Sequence, residues 1–227
     1  MQRTRRRTEE RILEAARQLF LRYGIDETSM GDIARETGVA EATLYRSWPS
    51  EDALCGSSLY REIRAVNRAF LARVEVDPKE DTIVYHAFAA TYDRPFLRAS
   101  MTTESRTLGS YLRRHRTVLS HWQFRLDRAL VEALQEAGVL RSDLAPELLT
   151  DLRSAVSLGP TSAAESTPPA ERPWKGVADT VQRALAPPGG GDSARGKEVL
   201  RRFIVAIDEG LEELERATRR LPEGDTR

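Results

Sequence analysis

Cysteine is almost absent. Cys55 stands alone among 227 residues, which excludes an intramolecular disulfide and suits a reducing compartment. No apolar run approaches the ~20 residues that a membrane-spanning helix needs, and the arginine-bearing start lacks the apolar segment of an export signal. The expected location is therefore the cytoplasm, with no membrane partner. Aromatic residues are scarce at 7%, while charged residues reach 31%, a balance that suits amphipathic helices better than a sheet sandwich. Net charge is missing too, because 35 basic and 35 acidic residues cancel. No global field draws the molecule to nucleic acid, so any such attraction has to be local. Nucleotide-binding glycine loops, nucleophile elbows and metal-ligand clusters are not found, and His86, His115 and His121 lack a metal-binding interval. No catalytic residue, metal or cofactor is expected, and an enzyme is the class the residues support least.

What is present begins with the stretch from Ser29 to Trp48, SMGDIARETGVAEATLYRSW. Ser29 is a good helix N-cap, Ile33 and Ala34 form an apolar stripe, and Gly38 permits the left-handed turn that stops the helix. A second short helix runs from about Glu41 to Ser47, with Leu44 turned inward. Two short helices around a glycine turn make the helix-turn-helix pattern.

Upstream, Met1 to Arg7 reads as a polar arm with Arg3, Arg5, Arg6 and Arg7. Alone it would be a solvated terminus; beside a helix-turn-helix it is an arm for phosphates or a minor groove. Thr8 is the expected cap of the first helix, with Glu9 and Glu10 opposing the dipole in its first turn. Ile12, Leu13, Ala16, Leu19, Phe20 and Tyr23 make its core stripe, and Gly24 ends it. The stripe needs the next two helices to bury it, which predicts a three-helix head.

The run TEERILEAARQLFLRYGIDETSMGDIARETGVAEATLYRSWPSEDAL resembles the N-terminal domain of the TetR family of transcriptional regulators. The resemblance rests on Tyr23-Gly24, Thr28-Ser29, Ile33-Ala34, Gly38-Val39, Thr43-Leu44-Tyr45, Trp48, Pro49-Ser50 and Ala53-Leu54. It implies an all-α chain: a helix-turn-helix DNA-binding domain over residues 1–48 and a helical ligand-binding and dimerisation domain over 49–227. Glu41, Ala42 and Thr43 would then face bases in the major groove, and Ser29, Tyr45, Arg46 and Ser47 would meet phosphates. Leu44, Trp48 and Val39 are packing residues. Ala40, Glu41 and Glu51 stand where the family often has Ser, Lys and Lys. Ala40 removes a helix cap, and the two carboxylates weaken non-specific attraction to DNA.

A long helix is expected from Ser50 to about Glu75, carrying Cys55 as a small filler. Further helices follow through 81–92, after Pro95, around Leu108 to Leu112, over 115–137 with Gly138 as its stop, and from Pro146 to Leu158. Tyr85, His86, Phe88, Tyr92, Phe96, Met101, Tyr111 and Trp122 crowd this region. They fill a core or line an apolar cavity, and the family resemblance favours a ligand pocket among them. Proline- and glycine-rich segments near 160–173 and 187–196 read as flexible loops, with short and long helices over 174–186 and 197–220. By the family's pattern two late helices pair across a homodimer, here through Leu149, Leu152, Val156, Phe203, Ile207, Leu211 and Leu214. The implied function is a dimeric repressor that binds a palindromic operator on double-stranded DNA and is released by a small apolar or amphipathic effector. The alternative is a ligand- or protein-binding helical dimer whose head has weak DNA affinity.

Overall fold

The computed structural model describes residues 2–76, 86, 90, 94–100, 106–115, 128–148, 151 and 174–219. Among these the regular structure is entirely helical: α1 (Gln2–Tyr23), α2 (Met30–Thr37), α3 (Glu41–Ser47), α4 (Glu51–Val76), α5 (Pro95–Ser100), α6 (Gly109–Arg114), α7 (Trp174–Leu185) and α8 (Ser193–Thr218), with a further helical run over 128–136. The described chain falls into two compact units. One comprises Met1–Arg64, Pro95–Arg116 and Glu209–Arg227; the other comprises Ala65–Arg94 and Thr117–Asp208. The first unit therefore reaches well past the three-helix head that the local pattern outlines.

In the first unit the expected apolar stripes meet, except that Tyr23, expected in the core stripe of α1, is exposed at the end of that helix. Ile12, Ala16 and Phe20 of α1, Ile33 of α2, Leu44 and Trp48 of the third helix and its cap, and Leu54 of α4 are all essentially buried. Ser50 caps α4, its hydroxyl accepting from the Ala53 amide at 3.1 Å. Ion pairs tie α1 to α4: Arg61 reaches Glu14 at 2.7 Å, and Arg17 grips Glu14 from within α1 at 2.6 Å. Cys55 is fully buried. Burial, then the nearby Asp52 charge, pushes its thiol well above the ordinary range, so it is an inert filler.

Three expectations need correction. Thr8 does not cap α1. The helix already runs from Gln2, and the Thr8 hydroxyl donates to the Thr4 carbonyl at 3.1 Å within it. The basic arm is thus continuous with α1, because good helix-forming arginines carry the helix backwards past the threonine. His115 is the C-cap of α6, its amide donating to the Tyr111 carbonyl, and not the first residue of the expected helix, of which 116–127 lie outside the described residues. Lastly α8 begins at Ser193, four residues before the expected start at Lys197. The missed signal is Asp192, whose carboxylate accepts from the Arg195 amide at 3.0 Å as an N-cap. Gly196 is buried within this helix, and a Cβ there would stand 2.8 Å from a Val139 methyl.

In the second unit Val74, Val131, Leu134, Ala137, Val139, Leu140 and Leu200 form the buried cluster. Gly138 ends the 128–136 helical run with φ 71°, as its position after the periodic stretch predicts. The Gln135 side-chain amide holds the following turn by donating to the carbonyls of Arg141 and Leu144, each at 2.9 Å.

Candidate nucleic-acid interface

The turn before α2 is built by backbone that no other residue would accept. Gly24 has φ 92°, and a Cβ on it would lie 2.5 Å from the Arg106 carbonyl oxygen. The Ile25 amide donates to the Thr107 carbonyl at 3.0 Å, and the Thr28 hydroxyl donates to the Gly24 carbonyl at 2.7 Å. This anchored turn delivers Ser29 to the start of α2. There it forms a capping box: the Ser29 hydroxyl accepts from the Asp32 amide, and the Asp32 carboxylate accepts from the Ser29 amide. Hydrogen bonds from Ser29, then Arg35, hold the Asp32 carboxyl below its ordinary range. Gly38 closes α2 in the left-handed region at φ 65°. The Arg11 guanidinium, from α1, caps the same end through the Thr37 carbonyl at 2.7 Å.

α3 follows after a three-residue turn. Ala40 offers it no side-chain cap, as its identity predicts. Leu44 is fully buried and Trp48 with it, while Glu41, Ala42, Tyr45 and Arg46 are exposed and Thr43 and Ser47 are half-buried. One face of a seven-residue helix is thus fixed to the core and the other is open to solvent. Arg46 is restrained toward the helix start by donating to the Thr43 hydroxyl at 3.1 Å. Arg3, Arg5, Arg6 and Arg7 are exposed on the first turns of α1, where Arg5 pairs with Glu9 at 3.1 Å.

Acidic groups crowd the start of α2. Glu51 Oε1 accepts from the Met30 amide at 3.2 Å. Glu41 Oε2 lies 3.6 Å from the position a Cβ would take on Gly31. With Asp32, three carboxylates surround a helix N-terminus that would otherwise attract a phosphate.

The remaining expected site residues separate into several groups. Tyr85, Phe88, Tyr92, Met101 and Trp122 lie outside the described residues, as do Leu149, Leu152 and Val156. His86 is half-buried in the second unit. Phe96 and Tyr111 are core residues of the first unit: Phe96 packs against Phe20 with ring centroids 6.5 Å apart, and Tyr111 lies 4.4 Å from the His115 ring. On α8, Phe203, Ile207 and Leu214 are half-buried, whereas Leu211 is completely buried within its own chain. Leu211 therefore belongs to the interior, one step round the helix from the half-buried stripe. A cleft of about 460 Å³ lies elsewhere, between Tyr23, Gly24, Asp26, Glu27, Arg106, Ser110 and Arg113. None of its lining residues belongs to the aromatic set expected from sequence to form a pocket.

Local pattern had no means of finding the network at the start of α4. Arg114 grips Asp52 with two hydrogen bonds, 2.6 and 3.1 Å, and His115 Nε2 lies 3.0 Å from the same carboxylate. Its members sit 62 and 63 positions apart in the chain. Among the described residues no cluster of His, Cys, Asp and Glu could hold a metal, and no helix is long and apolar enough to cross a membrane.

The arrangement of α1 to α4 defines a class: a helix-turn-helix domain whose second short helix is presented outward. Residues 12–56 match the family model of bacterial regulatory proteins, tetR family, so the head of this chain is similar to the helix-turn-helix domain of that family. An HTH-type transcriptional regulator of Mycobacterium tuberculosis is 34% identical over 111 residues, 46% of this chain and 55% of that protein. Another, from Mycobacterium bovis, is 34% identical over 84 residues, 37% of this chain and 42% of that protein. The chain thus spans about half the length, or less, of the curated relatives it matches. Among solved structures, a protein assigned to the tetR family of transcription regulators from Shewanella sp. PV-4 aligns with a TM-score of 0.53 at 24% identity, over 78% of this chain and 94% of that one. The fatty acid degradation regulator FadR from Bacillus halodurans aligns at 0.54 and 17% identity, over 81% and 97%. These two likenesses establish the fold.

Proposed function

We propose that the chain is a transcriptional regulator, a repressor that binds a palindromic operator as a homodimer and leaves it when a small apolar or amphipathic effector binds the helical body. One observation carries the reading: α3 buries Leu44 against the head while exposing Glu41, Ala42, Tyr45 and Arg46. A helix held this way is free to enter a major groove, with Glu41, Ala42 and Thr43 toward base edges. Ser29, Tyr45, Arg46, Ser47 and the arginines of early α1 then position it on phosphates. Two such heads reading one palindrome must meet successive grooves ~34 Å apart, and the effector acts by its difference in affinity for arrangements that do and do not match that spacing. The half-buried Phe203, Ile207 and Leu214 supply the dimer contact. Footprinting of the chain on its own promoter region, with and without candidate effectors, tests this. A protected palindrome that disappears with effector is the expected result, and absence of protection at low salt refutes it.

A second reading, a ligand- or protein-binding helical dimer with weak DNA affinity, draws on the Glu51 carboxylate at the Met30 amide. The salt dependence of binding to random duplex separates the two, since a working head releases several counterions.

A further inference from the structure

α3 is too short to define its own direction. Seven residues make few internal hydrogen bonds, and such a helix is marginal without outside support. Its N-terminus has no side-chain cap. Its C-terminus ends in Trp48, whose amide donates to the Leu44 carbonyl at 2.8 Å and whose ring is completely buried. With Leu44 seated in the core, whatever holds the Trp48 ring completes the setting of the helix's tilt.

Two groups hold it. The indole Nε1 donates to the Ser57 hydroxyl of α4 at 2.9 Å. The Arg219 guanidinium, one residue past α8, lies 4.8 Å from the ring centroid, the geometry of a cation–π contact. Arg219 is itself aimed by Glu215, 2.8 Å away, and the same carboxylate binds Arg64 of α4 at 2.8 Å. Burial pushes the Glu215 carboxyl up, but hydrogen bonds and charge from Arg64 and Arg219 outweigh it and hold it below the ordinary range. It therefore stays ionised, between two cations, across the neutral range. Glu215 is only 13% exposed and Arg64 18%, so the link is shielded from salt more than a surface pair is. Trp48, Arg64, Glu215 and Arg219 all belong to the first unit.

We propose that Arg219, aimed by Glu215, is a positioning residue for the recognition helix: the C-terminal end of α8 and the residue just past it set the angle at which α3 meets DNA. This rests on the DNA-binding reading and adds to it a dependence on residues far outside the helix-turn-helix. Arg219 need not touch DNA. Its removal frees the Trp48 ring on one face and lets α3 tilt, which degrades base contacts more than phosphate contacts, because base readout tolerates less misalignment.

The test uses the full chain with Trp122 and Trp174 changed to Phe, so that fluorescence reports Trp48 alone. A duplex is first enriched from a random pool by the parent chain. Affinity for that duplex and for an unselected duplex is then measured for Arg219→Ala, Arg219→Lys and Glu215→Gln, beside the Trp48 emission and the melting temperature. Arg219→Ala is expected to weaken binding to the enriched duplex about tenfold or more, the size of a desolvated cation–π interaction, with little change on the unselected duplex and a shifted Trp48 emission. Arg219→Lys, which keeps a cation over the ring, is expected to recover part of the affinity, and Glu215→Gln to show a smaller weakening of the same kind. Equal weakening on both duplexes would mark Arg219 as a phosphate contact and overturn the proposal. So would unchanged affinity for the enriched duplex in all three folded variants. If the parent chain enriches no duplex, the DNA-binding reading fails and this proposal fails with it, whereas enrichment by the parent with indifferent variants removes the positioning role alone.

Discussion

Gly24 and the Arg106 carbonyl approach so closely that a Cβ on the glycine would lie 2.5 Å from the oxygen, in a backbone already at φ 92°. Neither the close approach nor the angle is tolerated by an L side chain. Gly24→Ala is expected to destabilise the chain by about 2–4 kcal/mol, since backbone must move to make room. Urea unfolding measures it, and a midpoint within error of the parent would show that the turn yields freely.

The carboxylates of the first unit predict an acid limb. Arg17, with Gln18 and Arg61, holds the Glu14 carboxyl at about 2. Burial pushes Asp52 up, but His115 and Arg114 more than offset it, and it too lies at about 2. Both folded values lie below the unfolded ones of about 4. Each carboxylate therefore contributes stability above pH ~4 that is lost as pH falls toward 2. The melting temperature is expected to be level from pH 7 to about 5 and to fall steeply below 4. Asp52→Asn is expected to lower neutral stability by about 1 kcal/mol, a figure kept small because the group is partly exposed, and to make the acid limb shallower. An acid limb of unchanged slope in that variant would refute the assignment.

The arginines at the start of α1 lie at the positive end of its dipole, in a first turn that contains no acid. They are better placed beside phosphates than alone. Deleting residues 2–7 is expected to weaken binding to duplex DNA and to reduce the salt slope by about 0.9 for each phosphate that the shortened chain no longer neutralises. An unchanged slope would show that these turns stay in solvent.

Glu51 at the Met30 amide works in the opposite direction. Glu51→Gln is expected to strengthen binding to random duplex several-fold at low salt, because a negative charge leaves the N-terminal end of α2. Titration of the two chains at matched salt decides it, and equal affinities would mean that α2 does not approach the backbone.

Leu211 and Ile207 should behave differently although both lie on α8. Leu211→Ala opens a cavity in a fully buried site and is expected to cost about 2–5 kcal/mol of stability. Ile207→Glu falls on the half-buried stripe and is expected to leave the fold intact while producing a lone subunit by sedimentation. A folded dimer carrying Ile207→Glu would move the interface elsewhere.

The helix-turn-helix was legible from residues alone because its signals are local. Ser29, Gly38, Leu44 and Ser50 act over three or four positions, and each does in the structure what its type predicts. The fold class was legible for the same reason, since periodic stripes need only neighbouring residues to be read. Less local features were misread or missed. Thr8 looked like a cap because a threonine followed by two acids is a strong local start signal, which the helix propensity of the preceding arginines outweighed. Phe96 and Tyr111 could be read as core or as ligand wall, and their burial beside Phe20 and His115 is a contact that no local spacing shows.

The sequence by itself determined where the short helices start and stop and which side chains α3 can offer to a groove, because caps, turns and helical spacing are properties of a few consecutive residues. Only the tertiary structure decided what holds that helix in place. Arg219 over Trp48, Glu215 between Arg64 and Arg219, and Arg114 on Asp52 join residues far apart in the chain, and no local spacing encodes a contact whose partners meet only when the chain has folded.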